Sequence, residues 1–339
     1  LYETGHASNI TGFQPFGTRN EHCVIKVARD RIYSMAVHPM TSKIVACAGT
    51  KEGELAFWEC SDVLDREYKV TDDWTPKAFL FAPHNGAISN LKFWQGKLLT
   101  TSYDGSCLVM DLGTGTFAPW FQMLGRDAVV TGFDVYDSTA YHSDTNGVVR
   151  LTDLRTMKEI ASSQLHEAKI GGVSVSNDGC LLATCSNDRS IAIWDVRNLN
   201  QDKGKKKAIQ SFEYKNAVTA VNFHPALSRT FASTCYDNHV RIHNVNEEDT
   251  VDIPHNNQTG RWITLFKAVW DPKSDEKNSL LAIGNMEQRG VDLYSLKGEH
   301  EQCASSPWLT AQPAVNAFHP RMDLIFSGNA SGKMVVWSQ

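Results

Sequence analysis

Short apolar strands alternate with tight polar turns along this chain in a pattern that keeps returning. Each repeat opens on an apolar run, such as Ile32-Tyr33-Ser34-Met35-Ala36-Val37 or Val218-Thr219-Ala220-Val221-Asn222-Phe223. A second strand leads into a turn such as Tyr103-Asp104-Gly105 or Asn187-Asp188-Arg189, and a third strand follows. Runs of this length, bounded by turn residues, read as β-strands. The opening strand often ends in His-Pro, at His38-Pro39, His224-Pro225 and His319-Pro320, with Asp271-Pro272 as a variant. Proline is tolerated there because a strand's last residue need not donate to the ladder. Gly and Asn in the turns adopt backbone conformations that other residues resist. The third strand ends near an aromatic residue or its substitute, at Trp58, Met110, Thr152, Trp194, His243, Tyr294 and Trp337.

Those seven marks lie 52, 42, 42, 49, 51 and 43 residues apart. A period of roughly 40–45 residues is that of WD40 blades. The expected fold is therefore all-β, a seven-bladed WD40 β-propeller. The longer gaps are read as polar insertions, 61–76 and 249–261. The last repeat ends at Trp337-Ser338-Gln339 with only three strands, while Cys23-Val24-Ile25-Lys26-Val27 is a strand pattern with no repeat of its own. This early strand is expected to complete blade seven and close the ring, removing exposed sheet edges. The chain then divides into an N-terminal extension, 1–21, and the propeller, 22–339. His84 and His166 stand just ahead of opening strands. They read as structural histidines bonded to a turn aspartate and strand residues of their own blade, rather than as metal ligands.

Composition narrows the function. The 339 residues are 42% hydrophobic and 21% charged, with formal charge −5. No apolar run approaches the roughly 18 residues of a membrane span, and no signal-peptide pattern opens the chain. The chain starts at Leu1 rather than Met, which leaves room for a preceding leader. Eight cysteines without C-x-x-C pairs argue against zinc and for thiols in a reducing compartment, cytosol or nucleus. Gly-x-Ser-x-Gly, P-loop and His-Glu-x-x-His patterns are missing. The expectation is a binding module, not an enzyme, with no cofactor and no metal.

Two consecutive repeats end in Asp-x-Arg at the same register, Asp153-Leu154-Arg155 and Asp195-Val196-Arg197. The aspartate caps the turn after the third strand. The planar arginine fork suits bidentate contacts to a partner's carboxylate or carbonyls. These repeats resemble the box shared by substrate receptors of the cullin-4 ubiquitin ligase. The resemblance implies docking of Asp153, Arg155, Asp195 and Arg197 on the adaptor of that ligase, the large damaged-DNA-binding subunit.

Between blades five and six runs His255-Asn256-Asn257, then Gly260-Arg261-Trp262-Ile263, then Trp270-Asp271-Pro272. Over residues 22–339 the chain resembles the family of WD repeat-containing protein 76 and its fungal changed-mutation-rate relatives. They are sisters of the propeller subunit of the damaged-DNA-binding complex. The resemblance implies a nuclear protein of the DNA damage response that binds double-stranded DNA or chromatin. Arg261, Trp262 and Ile263 would contact DNA, with Trp262 and Ile263 the nearest counterparts of a wedge whose tripeptide is not reproduced here. By local motif, Arg31, Lys51, Lys169 and Arg289 match DNA-contacting cations of the sister family. Arg126 and Lys215 occupy comparable links. Lys203-Gly204-Lys205-Lys206-Lys207 falls on the adaptor side and reads as a solvated loop or a nuclear-import patch. The competing expectation is a protein-interaction scaffold gripping histone or chaperonin segments without touching DNA.

Overall fold

The computed structural model describes residues 14–65, 74–123, 128–199, 206–247 and 249–339. They form seven four-stranded antiparallel sheets. Blades one to seven open at Ile32, Ile88, Val130, Ile170, Val218, Val269 and Pro313. Each of the seven marks read from the sequence is the penultimate residue of its blade's third strand, from Trp58 in Leu55–Glu59 to Trp337 in Lys333–Ser338. Six of the seven, all but Thr152, carry large side chains that fill the layer between neighbouring sheets. Trp58 and Trp337 are fully buried, and truncating a buried aromatic to alanine costs about 3–5 kcal/mol.

The ring closes as expected. Val24–Lys26 adds a fourth strand to blade seven, pairing Val24 with Val335, Ile25 with Met334 and Lys26 with Lys333. Part of the stretch read as an extension also lies against this sheet. Gly17 and Ser338 exchange both backbone hydrogen bonds at 3.0 Å, and Phe16 is buried beside Trp337 and Leu293. Packing thus begins ahead of residue 22. The 249–261 stretch is corrected: Thr250–Pro254 is the outer strand of blade five, paired with the third strand, not an insertion. Its polar character reflects an outer position, where residues 250, 252 and 254 are exposed and only Val251 and Ile253 turn toward the core. In 61–76 a helical turn, Ser61–Leu64, follows blade one's third strand.

Six opening strands carry a register shift between their first and third residues. Such a bulge turns a side chain toward the next blade. Thr131 Oγ1 uses it to donate to Ile170 O at 2.7 Å. The histidines are structural. His166 bonds Asp188 at 2.8 Å and Thr184 at 2.7 Å, and His84 bonds Ser106 and Thr100. In the His-Pro turns, His224 Nδ1 accepts the backbone N–H of Ala226 and Leu227, and His319 Nδ1 those of Arg321 and Met322. All eight cysteines are free thiols, six of them buried. Among the described residues no helix is long and apolar enough to cross a membrane.

Candidate nucleic-acid interface

Strand alternation sorts the candidate residues by end of the ring. Links between blades and turns between second and third strands share one end, here the upper. Links between first and second, and third and fourth, strands share the lower. Arg31, Lys169, Arg261, Trp262 and Ile263 sit on blade-to-blade links, and Lys51 and Arg289 on second-to-third turns. All seven are upper. Arg155 and Arg197 follow third strands and are lower, as are Lys206 and Lys207. Arg126, Lys203 and Lys205 lie outside the described residues.

The link from blade five to blade six is held at both ends. At its start His255 Nδ1 bonds Asn257 Oδ1 at 2.8 Å, and Asn257 Nδ2 donates to the backbone oxygens of Cys235 and His239. His255 Nε2 lies 3.4 Å from buried Asp292, which also bonds His300 and Asn285. Burial opposes the charge on Asp292, yet the hydrogen bonds from His255, His300 and Cys303 hold its carboxyl well below the usual range. At the far end Phe266 is buried against Gly284, where a Cβ would strike both its ring and the Pro313 carbonyl oxygen. Between these anchors the chain reaches over to blade one. Thr264 Oγ1 donates to Ile32 O at 2.6 Å, and Arg31 Nη1 donates to Arg261 O at 2.9 Å. Ile263 is half-buried on the core of blade six, so Trp262, 79% exposed, is the side chain presented.

Cations and aromatics alternate beside it. The Arg31 guanidinium lies 5.0 Å from the Tyr33 ring centre and donates to Tyr33 Oη. Tyr33 meets Tyr103 edge-on at 6.5 Å, and Lys169 Nζ lies 5.2 Å from the Tyr103 ring centre. Cation–π contacts of this kind contribute about 0.5–2 kcal/mol. Burial lowers the Lys169 pKa, which eases release of its charge. Lys51 is exposed and paired with Glu52 at 3.0 Å, and its backbone N–H donates to Arg31 O. An exposed pair of this sort is weak and opens readily for another anion. Arg289 is exposed in blade six's turn, and among the described residues no hydrogen bond, ion pair or ring contact ties it to the others.

On the lower end the two Asp-x-Arg segments repeat one design. Asp153 Oδ1 accepts the Arg155 backbone N–H at 2.8 Å, and Asp195 Oδ1 that of Arg197 at 2.9 Å. The Arg155 backbone bond holds the Asp153 carboxyl below its usual range, and the Arg197 guanidinium does so for Asp195. The guanidiniums fold back toward these carboxylates, at 3.5 Å for Arg155 and 2.6 Å for Arg197. Their side chains nevertheless remain 70% and 81% exposed. Arg197 meets Asp195 with both arms of its fork, Nε on Oδ1 at 3.0 Å and Nη2 on Oδ2 at 2.6 Å, so a partner's carboxylate would exchange with this exposed pair.

The WD domain, G-beta repeat model matches residues 157–195 and 206–244. DNA damage-binding protein CMR1 of Phaeosphaeria nodorum is 30% identical over 92% of this chain and 66% of its own length. DNA damage-binding protein cmr1 of Neurospora crassa is 31% identical over 92% of this chain and 65% of its own. WD repeat-containing protein 76 of Xenopus laevis is 28% identical over 94% of this chain and 55% of its own. The chain belongs to this WD-repeat family. It spans less than two thirds of the length of each of these relatives.

In this WD-repeat protein three upper residues escaped the sequence reading. Tyr33 and Tyr103 belong to different blades, and only the fold brings them together. Lys267 lies just ahead of blade six's opening strand and faces the axial channel. Its signal was a lone lysine between Phe266 and Ala268 in an otherwise apolar run.

Proposed function

We propose that this protein is a nuclear DNA-binding module of the DNA damage response and a substrate receptor of a cullin-4 ubiquitin ligase. Its upper end holds duplex DNA, and its lower end docks on the ligase adaptor. The observation that carries the first half is Trp262, exposed yet held at its base by the Arg31–Arg261 bond, on the same end of the ring as Lys169. Relatives named DNA damage-binding protein favour the same reading.

Lysine and arginine side chains neutralise backbone phosphates and release counterions, a sequence-independent attraction that weakens with salt. An aromatic wedge costs a few kcal/mol of unstacking, and mispaired or damaged bases lower that cost. Binding then favours deformable duplex over any particular sequence. The second half rests on the paired forks of Arg155 and Arg197, alike in register and exposure. Gel-shift titrations of intact and lesion-bearing duplexes at several salt concentrations test the DNA half. A steep salt slope with tighter binding to the lesion is expected; equal, salt-insensitive binding refutes it.

A further inference from the structure

We infer that Arg229 and the cleft between blades four and five complete the docking face for the ligase adaptor, taking an adaptor segment with an apolar side chain beside a carboxylate. This role rests on the docking reading of Arg155 and Arg197. It adds a third cation that their motif does not contain.

One backbone hydrogen bond sets the lower ends of blades three, four and five in a common register. The residue after the third strand donates to the residue before the second: Leu154 N to Ser138 O at 2.8 Å, Val196 N to Cys180 O at 3.0 Å, and Val245 N to Arg229 O at 2.7 Å. At the Asp-x-Arg position blade five reads Asn244-Val245-Asn246. Asn246 thus stands where Arg155 and Arg197 stand in their blades, and the motif gives no third fork. Arg229 supplies the cation instead, from the link between blade five's first and second strands. It is exposed, and among the described residues no hydrogen bond, ion pair or ring contact engages its guanidinium. Arg155 and Arg197 each face an aspartate of their own. A partner's carboxylate can take both arms of Arg229 with no pair to displace, the stronger mode of arginine recognition.

Arg229 and Arg197 border one cleft of about 340 Å³, together with Val245 and Ile209. A cavity of about 150 Å³ accepts a benzene ring, so a large apolar side chain fits. Ile209 is 48% exposed. Its backbone N–H is held by Ile193 O at 2.7 Å, which fixes an apolar side chain toward solvent. Covering it with a partner's apolar group removes that surface from water. Two aspartates also line the cleft, and both are engaged within the protein. Asp195 takes the Arg197 fork, while Asp178 Oδ1 accepts from Ser176 Oγ at 2.6 Å and from the Cys180 N–H at 3.0 Å. The charge left free is that of Arg229. Apolar and acidic side chains set next to each other complement this cleft. A phosphate chain would answer the cation and leave Ile209 bare.

Cys180 lines the same cleft and is exposed, whereas six of the other cysteines are buried and Cys303 is half-buried. Its thiol therefore reports whether the cleft is filled. Alkylation of Cys180 by N-ethylmaleimide on the full chain, followed by peptide mass spectrometry, is expected to slow at least about fivefold when purified adaptor is bound, as a water-excluding contact implies. Arg229→Glu and Ile209→Asp are each expected to weaken adaptor binding at least about tenfold in calorimetric titration. Both residues are exposed, so melting temperatures should stay within about 2 °C of the parent. If either variant does not fold, the alkylation, run on the parent, decides. Unchanged alkylation in the complex overturns the inference, as does parent-like binding by either folded variant. Where Arg155→Glu with Arg197→Glu abolishes binding but Arg229→Glu and Ile209→Asp bind as the parent does, docking stands and the cleft has no part in it. A parent that binds no adaptor overturns both.

Discussion

The guanidinium of Arg31 holds the main-chain oxygen of Arg261 at 2.9 Å, across 230 residues of sequence. A cation from blade one thereby fixes the base of the loop that presents Trp262. A hydrogen bond to a charged group contributes about 1.5–3 kcal/mol, enough to decide whether an exposed loop is ordered. Arg31→Ala is expected to accelerate tryptic cleavage after Arg261 severalfold while leaving the melting temperature within a few degrees. Cleavage kinetics indistinguishable from the parent would show that the strut is dispensable.

Trp262 and Lys169 should separate two contributions to DNA binding. Trp262→Ala is expected to erase most of the preference for lesion-bearing duplex and to change affinity for intact duplex little. Lys169→Glu or Lys51→Glu should weaken every duplex alike and flatten the salt slope by about one unit. Gel shifts across salt concentrations measure both. Equal losses on all duplexes for Trp262→Ala would leave no role for a wedge.

For the lower end, the double change Arg155→Glu with Arg197→Glu is expected to abolish co-purification of the ligase adaptor. Both side chains are largely exposed, so the melting temperature should stay within about 2 °C of the parent. Undiminished capture of the adaptor would remove the docking proposal.

Acid should destabilise the propeller through its buried histidines. Burial pushes His142 and His243 down to about 3 and His224 to about 4. In the unfolded chain a histidine titrates near about 6.5. Between that value and about 4 the unfolded chain takes up protons that the folded one refuses, so stability falls as pH drops through the window and is retained above it. At pH 5 the loss is of order 1–2 kcal/mol per histidine. Thermal melts from pH 7.5 to 5 should show it, and His142→Phe should shallow the dependence by about one proton. A melting temperature constant over that range would contradict the burial argument.

Removing residues 21–28 strips the fourth strand from blade seven and reopens both sheet edges. A fall in melting temperature of 10 °C or more is expected from losing a strand and its core contacts, on the order of 2–4 °C per kcal/mol. Calorimetry showing an unchanged transition would mean the ring holds without its latch.

How far the sequence led depended on whether local pattern or distant convergence set each feature. The third-strand marks were legible because one buried position recurs at the same place in every blade. Val24–Lys26 was legible because blade seven lacked a strand. Thr250–Pro254 read as an insertion because only Val251 and Ile253 turn inward while 250, 252 and 254 are exposed, an alternation with two apolar residues and too short to mark a strand. The candidate cations were legible as loop residues. Their company was not, since Tyr33, Tyr103 and Lys169 come from three blades and no spacing predicts their contact. Phe16 was missed because its partners, near Gln302 and Trp337, are at the other end of the chain.

The pairing of Val24 with Val335 also has a bearing on time. During synthesis Val24–Lys26 emerges with nothing to pair with until Lys333–Ser338 leaves the ribosome. Six blades can assemble in order, but the wheel cannot lock before Lys333–Ser338 arrives. Until then the first blade's neighbour is missing, and a chaperone that shelters that open gap would act on the nascent chain at its most aggregation-prone moment.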